Sequence, residues 1–342
     1  MGEYARSLAI ARACKEEWPQ AQLHFVVSRQ ALYAGTVPFP ATLLESSATF
    51  HSPAVIALMD SFRPSVVVFD NAGRTAQLRA ARRGGARVVY ISARARQRRK
   101  AFRWRWLQLI DEHWIAYPEF IAGSLSYVER FKLKLRPEVK IRFLDVILSR
   151  GQCAVNTSPA FAPHTFLLMV PGGGTGHPRA RDAVAQFVAA ARALAAQGIA
   201  TLCVGATEIA SAQAGPADPN FKRVSSLPQA QLAQLLREAK LVVANGGSTL
   251  LQAIASGAAC IAVPIAADQA QRIRHCVEAG VAVAAPLDAD GITEAAARLW
   301  NDEPQRSALA QRAGELRLAD GIEVALTGLR RLIESAPDTA VP

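Results

Sequence analysis

The stretch Ala244–Gly280, A-N-G-G-S-T-L-L-Q-A-I-A-S-G-A-A-C-I-A-V-P-I-A-A-D-Q-A-Q-R-I-R-H-C-V-E-A-G, carries the strongest fold signal in the chain. A buried apolar strand ends at Ala244, and Asn245, Gly246 and Gly247 make a turn that lets a ligand approach the backbone closely. Ser248 and Thr249 then open a helix, whose unpaired N–H groups and dipole suit a diphosphate. A second strand ends at Pro264, and the loop after it is expected to present Asp268 and Gln269. Both strands deliver polar residues at their carboxyl ends, where open α/β sheets bind ligands.

The same rhythm extends outward. H-T-F-L-L-M-V (His164–Val170) reads as a strand, P-G-G-G-T-G-H-P (Pro171–Pro178) as a glycine-rich turn, and Arg179–Ala196 as an alanine-rich helix. The turn lacks the Lys-Ser/Thr ending of a P-loop. In the first half, Gln22–Ser28, Ser65–Asn71 and Ala86–Ser92 are β-branched runs of strand length, separated by helices near Ser52–Phe62 and Arg74–Arg83. Near-continuous apolar strands alternating with helices imply parallel sheets covered on both faces. Two doubly wound, Rossmann-like α/β domains are therefore expected, residues 1–150 and 151–342, with a linker at Val146–Pro163. The triplet Asp288–Asp290 precedes a helical run, and Asp290 or Thr293 is expected to cap it rather than to hold a metal.

The 342-residue chain carries a net charge of +11, distributed unevenly. Residues 1–150 hold 24 Lys/Arg against 12 Asp/Glu, and the remainder holds 15 against 16. An anionic partner for the first domain follows. The excess is concentrated in R-A-R-Q-R-R-K-A-F-R-W-R-W (Arg94–Trp106), where seven basic residues interleave with Phe102, Trp104 and Trp106. That pattern suits an anionic membrane surface, with Arg98, Arg99, Lys100, Trp104 and Trp106 as its contacts. A nucleic acid or a solvated basic face over a core would use similar residues. The five widely spaced cysteines form no C-x-x-C pair, which argues against a zinc site or disulfide framework and points to reduced, buried thiols. No apolar run is long enough to cross a membrane, and the opening lacks the zones of a signal peptide.

Ala244–Gly280 resembles the donor-sugar signature of GT-B glycosyltransferases, in particular the lipid I N-acetylglucosaminyltransferases and the plant-type UDP-sugar transferases. The resemblance implies that Asn245, Gly246, Gly247, Ser248 and Thr249 hold the donor diphosphate and that Asp268 and Gln269 bind hydroxyls of the sugar. Two positions depart from the family pattern: Gln252 replaces the glutamate that grips the ribose, and Arg272 replaces an asparagine. Gly173, Gly174 and Thr175 are expected against the leaving diphosphate, with His177 opening a helix.

The opening G-E-Y-A-R-S-L-A-I-A (Gly2–Ala11) is similar to that family's first turn, G-H-x-x-R-x-L-x-x-A. Glu3 stands where the histidine base would be, and Arg6 joins the acceptor surface. The strand before this turn is expected to be missing. The expected activity is transfer of a hexose or N-acetylhexosamine from a UDP-sugar to a lipid-linked or cell-envelope acceptor, by direct displacement with inversion. No metal or other cofactor is expected beyond the nucleotide-sugar co-substrate, and no nucleic-acid partner. The expected location is the cytoplasmic face of the inner membrane. A nucleotide-sugar hydrolase of the pseudaminic acid pathway type and a non-catalytic anionic-surface protein are the competing readings.

Overall fold

Short apolar strands, most of them followed by a helix, form the parallel sheets of the described residues. The computed structural model describes residues 2–31, 33–148, 161–172, 180–205, 218–224 and 227–334. They divide into two compact units, residues 1–147 with 319–342, and residues 148–318.

The first unit runs α1 (Gly2–Glu17), β1 (Phe25–Ser28), β2 (Ala41–Leu44), α2 (Ser52–Phe62), β3 (Val66–Asp70), α3 (Thr75–Arg83), β4 (Arg87–Ser92), α4 (Ala95–Ala101), α5 (Trp104–Leu107), β5 (Glu112–Ile115), α6 (Glu119–Ala122), α7 (Tyr127–Lys134) and β6 (Lys140–Phe143). β3, β4, β5 and β6 pair in sequence order as a four-stranded parallel sheet, and β1 and β2 form a separate parallel pair. Val88, Val89, Tyr90 and Ile91 of β4 are fully buried, as a central strand covered on both faces requires. By contrast β3 pairs with β4 alone, and its Val68 is exposed. Helix α1 starts at Gly2 with no strand before it among the described residues.

The second unit runs β7 (Leu167–Val170), α8 (Ala180–Ala196), β8 (Thr201–Val204), β9 (Phe221–Val224), α9 (Gln229–Glu238), β10 (Leu241–Asn245), α10 (Ser248–Ala255), β11 (Cys260–Val263), α11 (Ala267–Glu278), β12 (Val283–Ala284), α12 (Ala289–Asn301) and α13 (Glu303–Glu315). Its six-stranded parallel sheet has the order β12-β11-β10-β7-β8-β9. The chain winds outward from β7 to β9, returns to β10 beside β7, and winds outward again to β12. The order therefore reverses between β7 and β10, a topological switch point. Asp288, not Asp290 or Thr293, caps α12, accepting from the Gly291 N–H at 2.7 Å.

Helix α14 (Gly321–Glu334) corrects the domain boundary read from sequence, because it packs in the first unit. Its buried stripe of Ile322, Ala325, Leu326, Leu329 and Leu332 shares a core with Ile10, Ala13 and Cys14 of α1. The return is fixed at its start, where the Asp145 carboxylate accepts from the Ala319 N–H at 2.9 Å and the Gly321 N–H donates to the Val146 carbonyl at 2.8 Å. It is also tied from within. Fully buried Glu112 accepts from Arg142 at 2.7 and 3.1 Å, from Arg331 of α14 at 2.8 Å and from Trp114 at 2.5 Å. Burial pushes the Glu112 carboxyl up, but the hydrogen bonds from Arg142, Trp114 and Arg331 outweigh it and hold the group below its ordinary value. Cys14, Cys203, Cys260 and Cys276 are buried and unbridged. Cys153 lies outside the described residues.

Candidate functional site

The switch point of the second unit brings two turns together. After β7 come Pro171 and Gly172; after β10 come Asn245, Gly246 and Gly247. The Asn245 side chain joins them, its Nδ2 donating to the Pro171 carbonyl at 2.6 Å while its Oδ1 accepts from the Gly247 N–H at 2.7 Å. Gly172 has φ +85°, and a Cβ there would sit 1.9 Å from the Asn245 amide nitrogen. Gly246 is close-packed for a different reason: a Cβ would lie 2.8–2.9 Å from the side chains of Ile273 and Gln269 on α11. Gly247, in extended backbone, is the N-cap of α10, and it has no side chain to satisfy the first N–H groups of the helix. Ser248 is exposed at the helix start and Thr249 half-buried beside it. An anion at this corner would meet free helix donors, the positive end of the dipole and two hydroxyls.

Asp268 and Gln269 do not lie on a loop as expected; they occupy the first turn of α11. Gln269 turns inward, its Oε1 accepting from the Ile265 N–H at 2.9 Å, whereas Asp268 is exposed. Buried Arg272 reaches under the glycine turn, donating to the Gly246 carbonyl, and lies 3.6 Å from Asp268. A fixed positive charge thus stands directly behind the turn. Gln252 is half-buried one turn into α10. Gly173, Gly174, Thr175 and His177 lie outside the described residues.

In the first unit, the carboxyl end of β3 gathers a charged cluster around the start of α1. Arg6 pairs with Asp70 through two hydrogen bonds, 2.5 and 3.1 Å, and the Ser7 hydroxyl donates to the same carboxylate at 3.0 Å. Burial pushes the Asp70 carboxyl up, with the Arg6 ion pair and the Ser7 bond pulling it back and Glu3 adding to the rise. Asn71 adopts φ +54° and bridges two elements, donating to Glu3 at 2.7 Å and accepting from the Ala93 N–H at 2.8 Å. Glu3 is exposed and held by that bond, while Tyr4 stacks on Tyr33 with centroids 3.9 Å apart. The buried hydroxyl of Tyr90, which pairs with Phe69 from the neighbouring strand β4, has no hydrogen-bond partner among the described residues. Arg6 is therefore an interior ion-pair member rather than part of an acceptor or membrane surface. The sequence reading does not single out Asp70 and Asn71, although an Asp-Asn pair closing an apolar strand is a readable signal.

The basic tract also divides. Arg98 is buried, ion-paired to Glu129 at 2.8 Å, and donates to the carbonyls of Ala122, Gly123 and Ser124. Trp106 is buried and donates to the Thr75 hydroxyl at 3.1 Å. Lys100 donates to the Gly73 carbonyl at 2.9 Å and sits 4.2 Å over the Trp106 ring. Burial, then the charges of Arg74, Arg103, Arg96 and Arg105, lowers its pKa. Arg98, Lys100 and Trp106 therefore bond to protein groups within the fold instead of facing lipid as expected. Arg99 and Trp104 remain exposed.

No protein-family model and no curated protein matches the sequence. Solved structures do match over nearly the whole chain. The calicheamicin glycosyltransferase CalG4 aligns with a TM-score of 0.66 at 18% identity, covering 97% of this chain and 95% of its own. MurG of Acinetobacter baumannii aligns at 0.63 and 13%, covering 95% of both chains. A protein assigned as a UDP-N-acetylglucosamine 2-epimerase of Listeria monocytogenes aligns at 0.58 and 12%, covering 100% and 97%. At such identities the likeness is one of architecture. Two parallel α/β units, with a ligand-type corner at the switch point of the second, make this chain a GT-B fold.

Proposed function

We propose that the chain is a glycosyltransferase that moves a hexose or N-acetylhexosamine from a UDP-sugar to a lipid-linked or cell-envelope acceptor, by direct displacement with inversion. The observation that carries this reading is the Asn245 bridge across the switch point, which ties the two turns together at a helix start whose N-cap, Gly247, has no side chain. There the diphosphate would lie along Gly246–Thr249, with Arg272 behind it and the sugar toward Asp268. Departure of the nucleoside diphosphate is then assisted by donors already in place. Glu3, held by Asn71 beside the Arg6–Asp70 pair, is the proposed base toward the acceptor hydroxyl. The named neighbours include one glycosyltransferase and one protein assigned as a UDP-N-acetylglucosamine 2-epimerase, which supports a sugar nucleotide as donor.

The test is a thermal-shift panel of UDP-, GDP-, dTDP- and CMP-sugars, followed by turnover of whichever sugar nucleotide stabilises the protein. Stabilisation by UDP-sugars, with little donor consumed until an acceptor is supplied, is the expected result. Release of free sugar without acceptor identifies a hydrolase, and altered sugar still on the nucleotide identifies an epimerase. No stabilisation by any sugar nucleotide removes the reading.

A further inference from the structure

Helix α7 is inside out. At 100° per residue, Tyr127, Phe131, Leu135 and Val128 fall within one arc of about 100°. That arc faces solvent, the four side chains being 83%, 55%, 54% and 59% exposed. The opposite side of the helix does the anchoring. Glu129 is held in the ion pair with Arg98, and Leu133 packs on the core of Phe102, Leu107 and Val139. A capping box between Ser126 and Glu129 fixes the helix start, so this geometry is built in rather than frayed. Lys132 donates to the Phe102 carbonyl at 2.9 Å and lies 5.9 Å over the ring of Trp104, which is 43% exposed and extends the apolar patch.

The rim of this patch is cationic. Arg130 and Lys134 flank the arc on one side and Lys132 on the other, with Arg103 and Arg105 exposed beside Trp104. The carboxylate on α7 is already spent on Arg98. An apolar ridge of this kind is a recognition surface in a water-facing protein. Bases and aromatics alone would also suit a nucleic acid, but Val128 and Leu135 offer neither stacking planes nor hydrogen bonds to bases. Aliphatic and aromatic side chains between cations match the headgroup boundary of an anionic bilayer.

We propose that the outward face of α7, together with Trp104, docks the protein on an anionic lipid surface. The proposal rests on the membrane-facing acceptor of the preceding reading and relocates the contact from the α4 tract to α7. The experiment uses the full chain and phosphatidylcholine vesicles with and without phosphatidylglycerol, free of any sugar. Co-sedimentation is expected with the anionic vesicles only, weakening as salt rises. F131S/L135S, which leaves the charge unchanged, should lower the partition coefficient more than about tenfold. R130S/K134S should lower it by a similar factor. Both pairs are at the surface, and unchanged melting temperatures verify the fold. The tryptophan emission of the wild type should shift to the blue on binding, and W104F should lose that shift. Undiminished binding by F131S/L135S, no vesicle binding at all, or binding to a single-stranded oligonucleotide in place of vesicles each overturns the proposal. Sugar-nucleotide turnover without vesicle binding removes this surface and leaves the transferase reading standing; vesicle binding without turnover does the reverse.

Discussion

The turn after β10, a central strand, and the turn after β3, an edge strand, both close the carboxyl end of a parallel strand, yet they are made of different materials. After β10 the chain uses backbone: two glycines, an asparagine that ties one turn to the other, and an uncapped helix start. After β3 it uses side chains, an ion pair between Arg6 and Asp70 and a hydrogen bond from Asn71 to Glu3, each linking residues more than sixty positions apart. A backbone corner suits a ligand group shared by many substrates, such as a phosphate. A corner of side chains can be varied without moving the main chain, which fits a site that recognises one particular acceptor.

The largest effect expected from testing that contrast lies in the first unit's interior. Glu112→Ala leaves Arg142 and Arg331 without their buried partner, and loss of one member of a buried pair costs about 3–5 kcal/mol. Two-wavelength melts should show the first unit unfolding early, while the second retains its affinity for nucleotide. The same carboxylate sets an acid limit. Because its folded pKa is depressed, Glu112 contributes stability above the ordinary glutamate value of about 4.3, and that contribution is lost as pH falls further toward the folded value. In Glu112→Gln the acid limb of the stability profile should flatten, and an unchanged limb would assign it to another group.

Gly246→Val comes next. The new side chain collides with Ile273 and Gln269, so a stability cost of about 1–3 kcal/mol and a distorted phosphate corner are expected, read by melting and by nucleotide titration. Asn245→Ala should be milder on the fold but direct on the site, releasing Pro171 from Gly247 and weakening nucleotide binding by about tenfold. Full-strength binding in this variant would show that the two turns act separately. The smallest effect belongs to exposed Asp268. Asp268→Ala should weaken a UDP-sugar by a few fold, on the order of one lost hydrogen bond, and leave free UDP unaffected. Equal losses for both ligands would take the residue off the sugar.

The same contrast governs what could be read from the sequence. Strands β7, β10 and β11 of the second unit and the turns after β7 and β10 were legible because long apolar runs are punctuated by glycine, and both signals are local. Strands β2, β5, β6, β9 and the two-residue β12 are not legible in the same way. E-H-W-I and K-I-R-F carry charges at positions that only their partners neutralise, Glu112 being satisfied by Arg142 and Arg331. The return of α14 was invisible for a related reason, since an amphipathic stripe does not state which core it will join. In the basic tract, composition counted charges but could not say which of them point inward. Arg98 and Trp106 were buried by contacts with residues about thirty positions away, and the lipid-suited face emerged on α7, whose apolar residues would ordinarily be assigned to the core.

The buried thiols give the protein an internal clock. Burial, chiefly, pushes Cys14, Cys203 and Cys276 up to about 12 and raises Cys260 as well. At neutral pH a thiol of that kind stays protonated, so an alkylating reagent must wait for the surrounding structure to open. Cys14 sits in the core shared by α1 and α14, whereas the other three belong to the second unit. Mass-resolved alkylation over time therefore records, in one unmodified chain, how often each half of the molecule breathes.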